Sequence, residues 1–227
     1  PFFMRKNVVY HQDCLIGMKN IPKNSADLIL TDPPYYLRMA KDLHFKKKGT
    51  IKREFDFDGF KSKEDYLDFM RKVIKELHRV LKEGGSGYLF CSETFVSYIN
   101  EIIKEEGLKC RKVFYWHKTN CFPAMKKRKM FASSVEMAIH FSKGVLETWT
   151  PPNNTNHNHV DIPIANGNDR KLFPHPTQKP LRLIKYLMLI SSNPKDIVLD
   201  PFMGSGTTAI AALHLDRQFI GFETNQD

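Results

Sequence analysis

Short, uninterrupted apolar runs, each about the length of a strand, recur along this chain with helical patterns between them. They fall at residues 7–10, 27–31, 87–91, 112–116, 136–141, 196–200 and 218–223. A strand with one wet face alternates apolar and polar residues, whereas a strand covered on both faces does not. Most of these runs are of the second kind, and the helical patterns supply the covers. Residues 63–82 place Tyr66, Leu67, Met70, Val73, Ile74, Leu77 and Leu81 on one stripe. Ser62 with Asp65 suits a capping box at its start, and Gly84-Gly85 is expected to end it. Residues 95–106 and 180–190 are further helices. Strands separated by helices predict an α/β fold, a mostly parallel sheet with helices on both faces. At 227 residues the chain can bury a full core, and its length favours a single domain over residues 1–227.

Two stretches break the rhythm. Residues 41–60 are polar and basic and read as a loop. Residues 144–174 are rich in Asn, Pro and His and read as an inserted loop or small subdomain rather than part of the sheet. The net charge of +10 favours a polyanionic partner such as nucleic acid, although many basic proteins bind none. No apolar stretch is long enough to span a membrane, and the first residues lack the pattern of a signal peptide. Cys14, Cys91, Cys110 and Cys121 are widely spaced and form no CxxC pair, so they suggest neither a zinc knuckle nor a disulfide framework and fit a reducing, cytoplasmic setting.

Asp32-Pro33-Pro34-Tyr35 directly follows the run at 27–31. Two prolines remove two backbone donors and hold the residues before them extended, so the chain leaves the sheet as a stiff finger. Open α/β sheets bind ligands at that strand edge. The finger offers a carboxylate, a free Pro33 carbonyl and an aromatic face, parts that suit a planar base with an exocyclic amine. The competing explanation is a plain Pro-Pro turn with Asp32 as a cap. A second strand end, after the run at 196–200, reads Asp200-Pro201-Phe202-Met203-Gly204-Ser205-Gly206-Thr207-Thr208. Its small residues allow a ligand close to the backbone, and a helix starting near Thr207 can hold a carboxylate. About twenty residues on, Glu223 is placed to accept ribose hydroxyls. A nicotinamide dinucleotide is the alternative ligand, but GxGxxG is absent and Asp200 suits a sulfonium with an α-amino group better.

Together these motifs resemble those of the β class of amino-methylating DNA methyltransferases, in which the DPPY segment precedes the cofactor motif. The resemblance takes in Asp13-Cys14, the segment His175-Pro176-Thr177-Gln178-Lys179-Pro180, and Trp116-His117-Lys118-Thr119-Asn120, similar to the family's W-x-K-x-N. It implies a Rossmann-like methyltransferase sheet in circularly permuted order, with strand 197–200 beside strand 27–31 and strand 218–223 beside strand 7–10. It implies S-adenosylmethionine as cofactor, no metal, and transfer of a methyl group to adenine N6, with cytosine N4 as the alternative and a protein or RNA methyltransferase or a non-catalytic binding module as rivals. Asp32, Pro33, Pro34 and Tyr35 become the catalytic residues. The cofactor residues become Asp13, Cys14, Asp32, His175, Thr177, Lys179, Asp200, Pro201, Phe202, Gly204, Ser205, Gly206, Thr207, Thr208 and Glu223. The family continues past the strand ending at Glu223 into a covering helix, so in this sequence either that helix is missing or a partner covers the sheet edge.

A base inside a duplex must be flipped out to reach such a finger. Lys46, Lys47, Lys48, Lys52 and Arg53, with Lys126, Lys127, Arg128 and Lys129, are candidate phosphate contacts, or else solvated loops. Residues 144–174, with Asn153, Asn154, Asn156, His157, Asn158 and His159, are the candidate target-recognition segment. Double-stranded DNA is the implied partner; a homodimer and a companion restriction endonuclease are left open.

Overall fold

The computed structural model describes residues 5–36, 59–121, 129, 131–151, 157–165 and 178–225. The chain enters through β1 (Val8–His11), a short helix α1 (Cys14–Gly17) and β2 (Ala26–Thr31). Helix α2 (Lys63–Val80) crosses to β3 (Leu81–Cys91), and α3 (Val96–Glu105) leads to β4 (Lys109–His117) and β5 (Val135–Ser142). A short β6 (His159–Asp161) precedes α4 (Leu181–Ser191), β7 (Ile197–Asp200), α5 (Thr207–His214) and β8 (Gln218–Glu223).

These strands form one eight-stranded sheet in the order β1-β8-β7-β2-β3-β5-β4-β6. Every neighbouring pair is parallel except the two made by β5. Successive residues face opposite ways, which is why the runs are apolar throughout. Ile29, Leu89, Ile139, Leu199 and Ile220 pack with Met70, Ile74, Leu77 and Ile103 of α2 and α3 on one face. Leu28, Leu30, Tyr88, Phe90, Ala138 and Val198 pack with Leu183, Leu187, Ala209 and Ala212 of α4 and α5 on the other. The expected α/β architecture is therefore present, with β7 beside β2 and β8 beside β1.

From β2 the chain winds through α2 to β3 on one side, and from β7 through α5 to β8 on the other. The winding reverses between β7 and β2, and that is where an open sheet leaves a crevice at its carboxyl edge. Asp27 ties the two strands at their other ends. Its carboxylate accepts the Ile197 amide at 2.8 Å and holds the Lys82 ammonium at 2.5 Å.

Two expectations are corrected. Helix α2 begins as read, with the Ser62 hydroxyl accepting the Asp65 amide at 3.1 Å, but it ends at Val80, and Gly84-Gly85 lie inside β3. The terminator is a lysine rather than a glycine. The buried Lys143 ammonium donates to the His78 and Leu81 carbonyls at 2.9 and 3.0 Å and to Asn24 at 2.7 Å. Leu81 then turns extended and pairs with Ala26. The segment 144–174 is not wholly outside the sheet either, since His159–Asp161 adds β6 to the edge beside β4. The Trp116 indole donates to the Ile162 carbonyl at 2.6 Å, the Asn158 amide to Val113 at 2.9 Å, and the Ile164 amide to Asn120 at 2.7 Å. The Trp116–Asn120 segment thus anchors this strand to the sheet.

Candidate active site

Four neighbouring parallel strands deliver four carboxylates to one edge. In spatial order they are Asp13 after β1, Glu223 ending β8, Asp200 ending β7 and Asp32 after β2. Asp13 caps α1 by accepting the Leu15 and Ile16 amides at 2.9 and 3.2 Å. The adjacent Cys14 is buried, and burial together with Asp13 pushes its thiol up to about 12, so only its backbone is available for chemistry at neutral pH. Glu223 accepts the Gly204 amide at 2.8 Å and the Thr224 and Asn225 amides at 2.9 Å. This carboxylate fixes the turn after β7 and the exit of β8 together.

The turn itself sits low on the sheet. A side chain on Gly221 would put its Cβ 2.1 Å from the Met203 Cε, so glycine in β8 is what lets Met203 settle and donate its amide to Phe222 at 2.9 Å. Gly206, with φ +78°, turns the chain into α5 and has nothing within 4 Å of where a Cβ would stand. Ser205 and Thr207 share a hydroxyl hydrogen bond of 3.0 Å beside it. Asp200 is enclosed under this turn. Burial pushes its carboxyl up to about 7, with the Thr208 hydroxyl and the Phe202 amide at 3.1 Å pulling the other way.

The finger stands next to it. The Tyr35 hydroxyl donates to one Asp32 carboxylate oxygen at 2.5 Å, and the Lys179 ammonium donates to the other. Tyr36, at φ 50°, bends the chain away and lodges its ring against Tyr66 at 5.7 Å, between Phe60 and Phe95. Burial raises the Tyr35 phenol well above its ordinary range, and Asp32 and Glu136 add to the shift. Lys179 lies under the Phe90 ring at 5.0 Å and is 9% exposed. Burial pushes its ammonium down, but Asp32 and Glu136 outweigh that and hold it above the usual lysine range. Glu136, on β5, pairs with Lys179 at 3.2 Å and with Lys118 at 3.4 Å.

The sequence reading had Asp32, Tyr35, Asp200 and Glu223 at this edge, and the strand order brings them together. Lys179, a candidate cofactor residue like Asp32, has its ammonium on the Asp32 carboxylate. Glu136 escaped notice because it opens an ordinary apolar run, although a carboxylate leading into a buried strand was the signal available. His175, Thr177, Lys46, Lys47, Lys48, Lys52, Arg53, Lys126, Lys127 and Arg128 lie outside the described residues, as do Asn153, Asn154 and Asn156. Lys129 is exposed between β4 and β5. The His157 and His159 rings stand 5.6 Å apart, and among the described residues no cluster of His, Cys, Asp and Glu could hold a metal ion. No described helix is long and apolar enough to cross a membrane.

A family model described as DNA methylase matches residues 26–227. The chain belongs to that family. Family membership makes it a DNA methyltransferase dependent on S-adenosylmethionine. It is 33% identical to the type II methyltransferase M.HpaI of Haemophilus parainfluenzae, over 93% of this chain and 68% of that protein. It is likewise 33% identical to the DNA adenine methyltransferase YhdJ of Escherichia coli (strain K12), over 96% of this chain and 79% of that one. Among solved structures, M1.HpyAVI in complex with SAM superposes with a TM-score of 0.72 at 29% identity, covering 96% of this chain and 93% of the other.

Proposed function

We propose that this DNA methylase transfers a methyl group to N6 of an adenine flipped out of duplex DNA, as a β-class enzyme of circularly permuted motif order. The observation that carries the reading is the position of the Asp32 carboxylate, at the switch point of the sheet and one strand from the Gly204–Thr207 turn. The order of the motifs along the chain, DPPY before the cofactor turn, supports the class. The relative named as an adenine methyltransferase supports adenine, as does Asp32 in the first motif position of this chain.

The residues present fit S-adenosylmethionine. The open space at Gly206 admits a ligand against the backbone, and Asp13, Glu223, Asp200 and Asp32 give the edge a negative field that suits a cation. Asp13 and the Cys14 backbone would hold the adenine, Glu223 the ribose, and Asp200 with the turn amides the amino acid end. When bound, the cofactor supplies an electrophilic methyl group on a sulfonium.

The chain's own residues handle the nucleophile. An exocyclic amine is a poor one, because its lone pair is delocalised into the ring. A carboxylate has about four acceptor sites, so Asp32 keeps some free beside Tyr35 and Lys179. Asp32 and the Pro33 carbonyl would accept the two amine hydrogens, favouring a tetrahedral nitrogen with a localised lone pair. Both acceptors are fixed before the base arrives and stabilise the positive charge that develops on nitrogen. Pro33 and Pro34 keep the finger rigid, and Tyr35 offers its ring to the base. Lys129 and the basic residues at 46–53 and 126–128 would take the phosphates, with residues 144–174 reading the target.

The test uses labelled S-adenosylmethionine with duplex DNA from cells lacking the enzyme, followed by mapping of the modified base. Methyl-N6-adenine at one sequence context is expected, with Asp32→Ala folded and at least about 100-fold slower. Modification at cytosine N4 would replace the adenine reading, and an Asp32→Ala variant of full activity would remove the mechanism.

A further inference from the structure

Asp32 does not stand alone at the end of its strand. A row of alternating charge runs from the end of β4 to the finger, with Lys118, Glu136, Lys179 and Asp32 in contact one to the next. Lys179 is the link. Its side chain is 9% exposed, and a buried charge is kept when it is paired and hydrogen-bonded. Asp32 is one partner and Glu136 the other. Among the described residues, the Glu136 side chain pairs with Lys179 and Lys118.

We propose that Glu136 is a positioning residue for methyl transfer, holding Lys179 so that Lys179 fixes the Asp32 carboxylate for the incoming amine. The inference rests on the role given above to Asp32. With Glu136 present, the Lys179 ammonium is shared between two carboxylates, and the free lone pairs of Asp32 are aimed by the Tyr35 and Lys179 bonds on its two oxygens. Without it, Asp32 is the one carboxylate paired with Lys179 among the described residues. The ammonium then either draws Asp32 out of place or loses its proton to solvent, and in both cases the acceptor geometry is lost. Misplacement of about 1 Å at such a site can cost about 100-fold in rate.

The groups around the Lys179 ammonium are Asp32 and Tyr35 from the finger, Glu136 from β5, and Lys118 behind Glu136. Asp200 and the buried Cys91 thiol of β3 lie on the Asp32 side. Of these, only Glu136 and Asp32 oppose the burial that pushes Lys179 toward neutrality. Removing Glu136 therefore moves the loss of the Lys179 proton to lower pH.

Single-turnover methyl transfer is measured from pH 6 to about 10 for the wild type, Glu136→Gln, Lys179→Met and the double variant, on duplex DNA carrying the site mapped for the wild type. Glu136→Gln should transfer about 10- to 100-fold more slowly with KM values for cofactor and DNA within about threefold. Its rate should also fall at high pH where the wild-type rate stays flat. If Glu136 acts only through Lys179, the double variant matches Lys179→Met within about twofold. Should Glu136→Gln yield too little folded protein, this last comparison, between two variants lacking the buried ammonium, decides alone. A loss equal at every pH, an effect confined to KM, or a double variant much slower than Lys179→Met would overturn the proposal. The base that receives the methyl group reads separately on the proposed substrate, because the rate ratios do not depend on which base it is.

Discussion

Asp200 is enclosed beneath the Gly204–Thr207 turn, and burial lifts its carboxyl from 3.8 to about 7. A group whose folded pKa is raised contributes stability below its unfolded pKa and loses it as pH rises through the folded value. Stability from Asp200 is thus full near pH 4 and declines toward pH 7, by up to about 4 kcal/mol for a shift of this size. Asp200→Asn should flatten that decline, so that urea denaturation shows the variant gaining on the wild type between pH 5 and 8. The same group couples to the methyl donor. A cationic ligand favours the ionised carboxylate, so binding of S-adenosylmethionine should release a proton below pH 7 and tighten as pH approaches 7. Calorimetry in buffers of different ionisation enthalpy measures that proton, and a proton count of zero at pH 6 would exclude the coupling. At this scale Asp32, Asp200 and Glu223 were legible because each ends an apolar run at a Pro or a chain turn. Glu136 and the place of Lys179 were not, since their meeting depends on β5 lying next to β3 and on α4 starting over the finger.

Helix α2 shows how far element boundaries can be read. Its stripe and its Ser62 cap are local features and stand where the sequence has them. Its end is set by Lys143, which comes from the far end of β5 and could not be seen from the helix's own residues. Lys143→Met should leave two backbone carbonyls and the Asn24 side chain without their buried donor. Each unsatisfied group costs about 1–3 kcal/mol, so a loss of about 2–5 kcal/mol is expected by urea denaturation. Ser62→Ala, which removes a solvent-facing cap, should cost only about 1 kcal/mol. If the two variants were equally stable, the lysine would not be the terminator. The edge strand β6 was equally hidden. Three residues within a polar Asn-rich stretch carry no strand period, and they pair with β4 because Trp116 and Asn120 hold the segment that follows them.

Charge at the level of the whole molecule pulls against charge at the site. The chain carries a net +10, yet its carboxyl edge presents Asp13, Glu223, Asp200 and Asp32 in a row. A negative edge repels phosphates, so the backbone of a duplex has to be held by cations that flank the edge while only the extruded base enters. Net charge alone does not say which cations these are. Strand β4 runs parallel to β2, since β2 is parallel to β3 and both β3 and β4 are antiparallel to β5. Its start at Lys109 therefore lies at the edge away from the carboxylates, and its end at His117, after which Lys129 follows in the chain, lies on theirs. Both lysines are exposed, and removing either lowers the net charge equally. If the duplex is held beside the carboxylate edge, Lys129→Ala should reduce the slope of log affinity against log salt by about 1, while Lys109→Ala leaves it unchanged. Fluorescence anisotropy with a short labelled duplex between 50 and 300 mM salt measures both slopes. Equal slopes in the two variants would mean that binding follows overall charge rather than this edge.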